Sequence, residues 1–241
     1  MTAGESGSAY DGKYFSGTGS GYRDGYERAV IGPVMAKYAA GLKALYSPAR
    51  ALDVGCAKGF LVEALVKLGV DAYGCDISEF AIRNSPPGVR ERLFRLDASG
   101  GGLPFPDRHF DLVASLQTFE HIREHDGLLR EILRVLEPRG VLFVEVPTPG
   151  NPGRDVTHVN VLPRERWLEL FGRFGFRPLD RDIVPYLRRT EEEAAAIPVG
   201  AVGRVLRAVG LRDRLLRVKW DRESRALYRR NNYQFHLQAP G

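Results

Sequence analysis

A doubly wound α/β fold with a parallel sheet is predicted by three observations. Strand-like and helix-like segments alternate from residue 50 to residue 174. The connections between them are short. The first strand-like run, "ALDVG", passes through a tight loop straight into a helix-like run, "FLVEAL", which is how a βαβ unit begins.

The elements follow in order. Residues 27–45 carry a helical pattern, 50–54 a strand and 60–68 a helix. Residues 72–76 read as a strand, 79–84 as a short helix, and 93–96 and 110–115 as strands. Residues 127–136 place apolar side chains at helical spacing, 140–146 form an apolar strand, and 164–174 a helix stopped at Gly175. "NNYQFHLQA" near the C-terminus alternates like a final strand. Two stretches stand apart. Residues 1–25 are rich in Gly, Ser and Tyr and are expected to be a flexible N-terminal segment. Residues 190–230 are rich in arginine and helix formers and read as a helical cap inserted before the last strand. The main domain is then 26–189 together with 231–241.

The totals set limits. A chain of 241 residues with 44% hydrophobic and 27% charged residues is an ordinary globular composition. No apolar run approaches the roughly eighteen residues of a membrane span, and "MTAGESGSAYDG" is not an export signal, so a cytoplasmic setting is expected. The two cysteines, Cys56 and Cys75, make neither a disulfide framework nor a zinc ligand set. A formal charge of +5 is mild; with no basic tail, it argues against a nucleic-acid partner.

The loop "DVGCAKG" narrows the chemistry. A phosphate-binding P-loop needs Gly-Lys followed by Ser or Thr; here Lys58 precedes Gly59 and no hydroxyl follows. A dinucleotide fingerprint needs three glycines, and Gly55, Ala57 and Phe60 stand in those places. Asp53 would also repel a pyrophosphate. S-adenosyl-L-methionine, cationic and free of phosphate, suits the loop better. Asp53 would lie near its ammonium, and Gly55 and Gly59 would let the chain turn closely beneath it. Asp76, ending the second strand, would accept two hydrogen bonds from a ribose diol. Asp97 and the Ala98 backbone, after the third strand, would meet the adenine.

At this point the chain resembles the class I S-adenosylmethionine-dependent methyltransferases, most of all their small-molecule and sugar-modifying branch. The resemblance rests on "LDVGCAKGFLVEAL", "VDAYGCDISEFAI", "LDASGGGLPFPDRHFDLVASLQTFEHI" and "EILRVLEPRGVLFVEVPTP". It implies a Rossmann-like sheet of seven strands, the last antiparallel. It implies cofactor contacts from Asp53, Gly55, Cys56, Ala57, Gly59, Asp76, Ile77, Asp97, Ala98 and Leu116 or Gln117. The family usually has a third glycine where Ala57 stands. Tyr14 and Phe15 lead a set of N-terminal aromatics that either close over the cofactor or simply pack on the sheet. Lys58 is expected to point outward at the helix start.

Methyl transfer to a hydroxyl needs an aligned acceptor and a group to take its proton. His121, with Glu120 beside it, follows the fourth strand in "SLQTFEHI"; His158 follows the fifth in "DVTHVNVLP". Each is a candidate base, and each has a structural alternative: Glu120-His121 as a brace of the crevice, His158 as an ordered loop histidine. "HIREH" matches an inverted zinc-protease pattern without a third ligand, so no metal ligands are assigned. A divalent metal held by Asp155, His158 or Glu120 is compatible with the residues but not indicated by their spacing. The insert's apolar residues Val202, Val205, Leu206 and Val209 suit a cap packed on the domain; its arginines alternatively suit an anionic or glycan acceptor, or a homodimer face.

The leading expectation is therefore O-methylation of a hydroxyl on a small molecule, sugar or glycan. The alternatives are N-methylation of a small molecule or amino sugar, and a cofactor-binding protein without turnover. A base-methylating enzyme would carry an Asp/Asn-Pro-Pro-aromatic stretch where "SLQTFEH" stands.

Overall fold

The computed structural model describes residues 9–17, 20, 22, 25–97, 102–150, 155–183, 186–187 and 232–241. The helical cap expected at 190–230, with Val202, Val205, Leu206 and Val209, lies outside the described residues, as do Ala98 and part of the N-terminal segment.

A short helix α1 (Gly12–Phe15) is capped by Asp11, whose carboxylate accepts the amides of Lys13 and Tyr14. Helix α2 (Arg28–Tyr46) ends at Ser47, in the left-handed conformation with φ 48°. The alternating part then runs β1 (Arg50–Val54), α3 (Phe60–Lys67), β2 (Asp71–Asp76), α4 (Glu79–Arg83), β3 (Leu93–Arg95), β4 (Phe110–Leu116), α5 (Asp126–Val135), β5 (Leu136–Pro147), α6 (Arg164–Arg173), β6 (Arg177–Pro178) and β7 (Asn232–Gln238). Two 3₁₀ turns, Pro87–Arg92 and Phe119–His121, fall between them.

The sheet has seven strands in the order β3-β2-β1-β4-β5-β7-β6. Pairings among β1 to β5 are parallel; β7 runs antiparallel to both β5 and β6. The strand order reverses between β1 and β4, so the loops leaving their carboxyl ends diverge and open a crevice. Both faces of the sheet are covered. Ala51, Ala114 and Phe143 pack with Tyr38 and Leu42 of α2 and Leu61 and Leu65 of α3. Leu52, Val113 and Val144 pack with Leu129 and Ile132 of α5, Trp167 and Phe171 of α6, and Phe235 of β7. Burial on two sides is why these strands read as continuous apolar runs rather than alternating ones.

One boundary differs from the sequence expectation. The chain leaves α5 at Val135, and β5 begins at Leu136 instead of residue 140. Phe110 pairs with Leu136 but Leu112 with Val141, so "LEPRG" forms a bulge, with Arg139 at φ 65°. Pro138 carries no amide to donate, and a bulge is where a strand tolerates that. Among the described residues, no helix is long and apolar enough to cross a membrane.

Candidate functional site

The site begins at the loop after β1. Gly55 has φ +80°, and a Cβ there would lie 2.0 Å from Thr118 Oγ1, so only glycine fits. The amides of Gly55 and Cys56 both donate to the Cys75 carbonyl, at 2.8 and 3.0 Å, tying the loop to β2. Ala57 also adopts a left-handed φ, 48°. It occupies the conformation glycine prefers and carries a Cβ through it, at a cost of about 1 kcal/mol. Gly59 then caps α3, again with positive φ. Cys56 and Cys75 are buried free thiols.

Asp53, Asp76 and Asp97 come from three adjacent parallel strands, so all three stand at one edge of the sheet. Asp53 is only 4% exposed. Burial, and then the like charge of Asp76, push its carboxyl up to about 8. Asp76 accepts the Ala57 amide on Oδ2 at 2.7 Å and the Ser78 amide on Oδ1 at 2.8 Å. One acceptor position per oxygen is thus committed to backbone, and a second is left for a ligand. Burial raises the Asp76 carboxyl too, while its two amide donors oppose the rise. A cationic ligand end relieves this pair of buried carboxyls, and a diphosphate would aggravate it. The arrangement therefore fits the ammonium and ribose diol of S-adenosylmethionine. Ile77, part-buried, follows Asp76; Leu116 ends β4 and is part-buried. Gln117 turns out of β4 at φ 53°, held by its amide on the Glu145 carbonyl at 2.8 Å. A non-glycine residue in that region is a strained position of the kind that gathers at ligand sites.

The N-terminal segment crosses this edge. Tyr14 and Phe15 are buried. Tyr14 donates its hydroxyl to Asp155 Oδ2 at 2.9 Å, and Phe15 stacks on Phe80 with centroids 5.8 Å apart. Ser78 donates to the Tyr10 carbonyl at 2.6 Å, and the Tyr10 ring meets His121 edge-on. Residues 10–15 thereby connect the loops that follow β2, β4 and β5. Lys58 corrects a sequence expectation. Its side chain does not point outward: Lys58 is 7% exposed, its Nζ lies 3.3 Å from Glu27 Oε1, and it sits 5.9 Å from the centroids of both Phe15 and Phe80. The aromatic rings of α1 and α4 attract the ammonium and cover its stem, which loop position alone does not reveal.

Glu120, His121 and His158 converge. The 3₁₀ turn after β4 buries Glu120 completely. His121 and His158 meet edge-to-face at 4.8 Å, and the Nε2 atoms of the two rings lie 4.0 and 3.9 Å from Glu120 Oε1. The loop bearing His158 is pinned to the same turn, because the amides of Val159 and Asn160 donate to the Glu120 carbonyl at 2.8 and 3.0 Å. Burial pushes the His121 imidazole down to about 4 and lowers His158, while it drives Glu120 well above the usual carboxylate range. His125, the far end of "HIREH", belongs elsewhere. It bonds the Phe119 carbonyl at 2.9 Å and stacks on Phe119 beside Trp167. Asp155 is engaged by Thr157 and Tyr14 instead of joining the trio.

Sequence reasoning missed Glu145. It is fully buried on β5, accepting the Tyr38 hydroxyl, Gln234 Nε2 at 2.7 Å, and Gln117 Nε2 and Asn232 Nδ2 at 3.3 Å each. The signal was available: a lone carboxylate inside the apolar run "VLFVEVP" stays buried only with partners.

Residues 52–144 match the family model described as Methyltransferase domain. A protein of Mycolicibacterium smegmatis named a probable S-adenosylmethionine-dependent methyltransferase is 30% identical over 138 residues, 54% of this chain and 52% of that protein. A ubiquinone biosynthesis O-methyltransferase of Methylococcus capsulatus is 32% identical over 101 residues, 39% of this chain and 41% of that protein. The chain thus spans about half or less of the length of these curated relatives. An O-methyltransferase of a trans-AT PKS multienzyme from Brevibacillus brevis, solved with S-adenosyl-L-homocysteine, shares the fold: TM-score 0.55 at 18% identity, covering 86% of this chain and 72% of that one. The strand order and the antiparallel last strand agree with that likeness, and the match runs across the glycine loop and the strand ends: residues 52–144 are similar to the methyltransferase-domain family.

Proposed function

We propose that the protein transfers a methyl group from S-adenosylmethionine to a hydroxyl of a small-molecule acceptor. The observation that carries the choice of oxygen is the cluster of Glu120, His121 and His158 in the crevice beside Asp76. An amine needs no strong base to react, whereas a hydroxyl must lose its proton to a positioned group. The O-methyltransferase relative supports the same atom. Val156, Val159 and Val161 are exposed around His158, which favours an acceptor whose hydroxyl sits on a partly apolar body. A sugar within a glycoconjugate meets that description, and the arginine-rich sequence of residues 190–230 suits a polar or anionic one.

The cofactor, when bound, supplies an activated methyl carbon. The chain does the rest. Asp53 would pair with the ligand's ammonium, Asp76 would hold the ribose hydroxyls, and Asp97 would border the base. The strained backbone of Ala57 and Gln117 brackets the crevice. His158 is the proton acceptor we assign, because its side chain is the more exposed of the two (19% against 12%) and burial has pushed the His121 imidazole down to about 4. Residues 10–15 exclude water from above, as the Tyr14–Asp155 and Tyr10–Ser78 bonds allow.

Incubating the protein with methyl-labelled cofactor and a panel of hydroxyl- and amine-bearing acceptors tests the reading. Label is expected on oxygen, with a loss of about 10²-fold or more in kcat for His158→Ala at unchanged cofactor affinity. Label on nitrogen alone would establish the N-methyltransferase instead.

A further inference from the structure

We propose that Glu120, His121 and His158 form a binding site for one divalent transition-metal cation. One ligand atom from each lies within 4.8 Å of the others. Two observations beyond proximity point to a cation. First, Glu120 is fully buried and, among the described residues, neither of its carboxylate oxygens has a hydrogen-bond partner. A carboxylate removed from water and left unpartnered is among the most costly arrangements in a protein interior. Here Oε1 lies 4.0 and 3.9 Å from the Nε2 atoms of two imidazoles, and a cation between them supplies the missing counter-charge.

Second, the His121 ring is oriented as metal-ligating histidines are. Thr157 Oγ1 donates its one proton to Asp155 Oδ1 at 2.5 Å, so at 2.9 Å it can only accept from Nδ1–H of His121. This fixes the tautomer and leaves the lone pair of Nε2, 4.0 Å from Glu120 Oε1, free for a ligand. A carboxylate–hydroxyl–imidazole relay of this kind aligns a ligand and raises its basicity. The His158 loop is independently anchored to the Glu120 backbone, so the three ligands are held by one local structure.

Ligands bonded to one ion at about 2.1 Å each stand roughly 3–3.6 Å apart. The observed 3.9 and 4.0 Å separations close to that range with small side-chain rotations. Two imidazoles and one carboxylate select a borderline cation (Mn²⁺, Fe²⁺, Co²⁺ or Zn²⁺) over Mg²⁺ or Ca²⁺, which take oxygen shells. Three protein ligands leave coordination positions open, and an oxygen of the acceptor is the ligand we assign to one of them; in the metal-loaded protein the His158 lone pair is on the ion, which eases proton loss from that oxygen in place of His158 acting as a free base. That last assignment rests on the O-methyltransfer reading; the metal site itself does not.

The test uses the full chain stripped with chelator and titrated with Co²⁺, followed by visible absorption and calorimetry. One equivalent is expected to bind at micromolar or tighter dissociation constant, displaced by Zn²⁺. Glu120→Gln and His158→Ala should each weaken binding more than tenfold. Thr157→Val, a positioning variant that touches no metal, should weaken it about tenfold. Circular dichroism and S-adenosylhomocysteine binding identify variants that remain folded. Absence of a Co²⁺ site in the folded wild type, or binding unchanged by all three substitutions, overturns the proposal. If Co²⁺ binds as expected but chelation leaves hydroxyl methylation unchanged, the site stands and its link to the acceptor falls. If only amines are methylated, the O-methyltransfer reading falls while the titration still decides the site.

Discussion

The carboxylate of Asp76 accepts the backbone amide of Ala57 at 2.7 Å, so the end of the second strand holds the loop that leaves the first. The same carboxylate accepts Ser78 N, the start of the following turn. A group placed to bind a ribose therefore also shapes the loop beside it. Asp76→Asn keeps one acceptor oxygen and loses the other. It is expected to cost about 1–3 kcal/mol of stability and at least tenfold in S-adenosylhomocysteine affinity. Urea denaturation and calorimetry measure the two effects; a variant that loses neither refutes the dual role.

Asp53 makes stability and cofactor affinity respond oppositely to pH. Its carboxyl is held at about 8 in the folded chain against an ordinary 3.8. Between those values the folded state binds more protons than the unfolded one. This residue's contribution to stability is therefore fully present below 3.8, declines as pH rises, and changes no further above about 8. Asp53→Asn removes the penalty: its melting temperature without cofactor should exceed that of the wild type by a few degrees near pH 8.5, with the gain shrinking toward pH 5. Binding runs the other way. A ligand ammonium needs the ionised carboxylate, so wild-type affinity should rise toward about pH 8, by at most tenfold per pH unit. The variant should bind weakly at every pH. Thermal melts and calorimetry across this range decide it; a flat wild-type binding profile sinks the pairing of Asp53 with a cation.

Lys58 fastens the N-terminal segment to the glycine loop through Glu27 and the Phe15 and Phe80 rings. Lys58→Met keeps the apolar stem and removes the charge. Losing one ion pair and two cation–π contacts should loosen residues 10–17 by about 1 kcal/mol. Tryptic cleavage at the exposed Lys13 should then quicken about fivefold, with a parallel rise in the cofactor dissociation constant if the segment covers the site. Unchanged cleavage would show that Lys58 latches nothing.

Ala57 occupies a left-handed conformation with a Cβ. Ala57→Gly relieves that strain but also frees the unfolded chain, and the two effects nearly cancel. Stability is expected to move by less than about 1 kcal/mol, with cofactor binding retained. Ala57→Val, β-branched at the same φ, should destabilise by more than about 2 kcal/mol. Denaturant titration of the pair provides the comparison.

The alternation from β1 to α6 was legible because each segment buries its own periodic face, and Asp53, Asp76 and Asp97 were legible because parallel neighbours bring their ends to one edge. His121 and His158 could be named singly. That they meet over Glu120 depends on the Val159 and Asn160 amides docking on a carbonyl far back in the chain, and no local pattern encodes such a contact. Lys58 was misjudged for the same reason, since its partners Phe15, Glu27 and Phe80 lie on other elements. The start of β5 was misplaced because the polar bulge around Pro138 interrupts the continuous apolar run that marks a strand buried on both faces.

The antiparallel pairing of β7 with β5 has a consequence for biogenesis. It joins residues as distant in sequence as Val141 and Gln238, so during synthesis β5 is an unprotected apolar edge long after the cofactor loops have been made. Asn232 and Gln234 also arrive only then, and until they do the buried Glu145 carboxylate lacks two of its donors. A nascent or truncated chain ending before residue 232 would display a sticky strand and an unsatisfied charge together. That pairing makes it a substrate for chaperones, or a seed for aggregation, rather than a partially active enzyme.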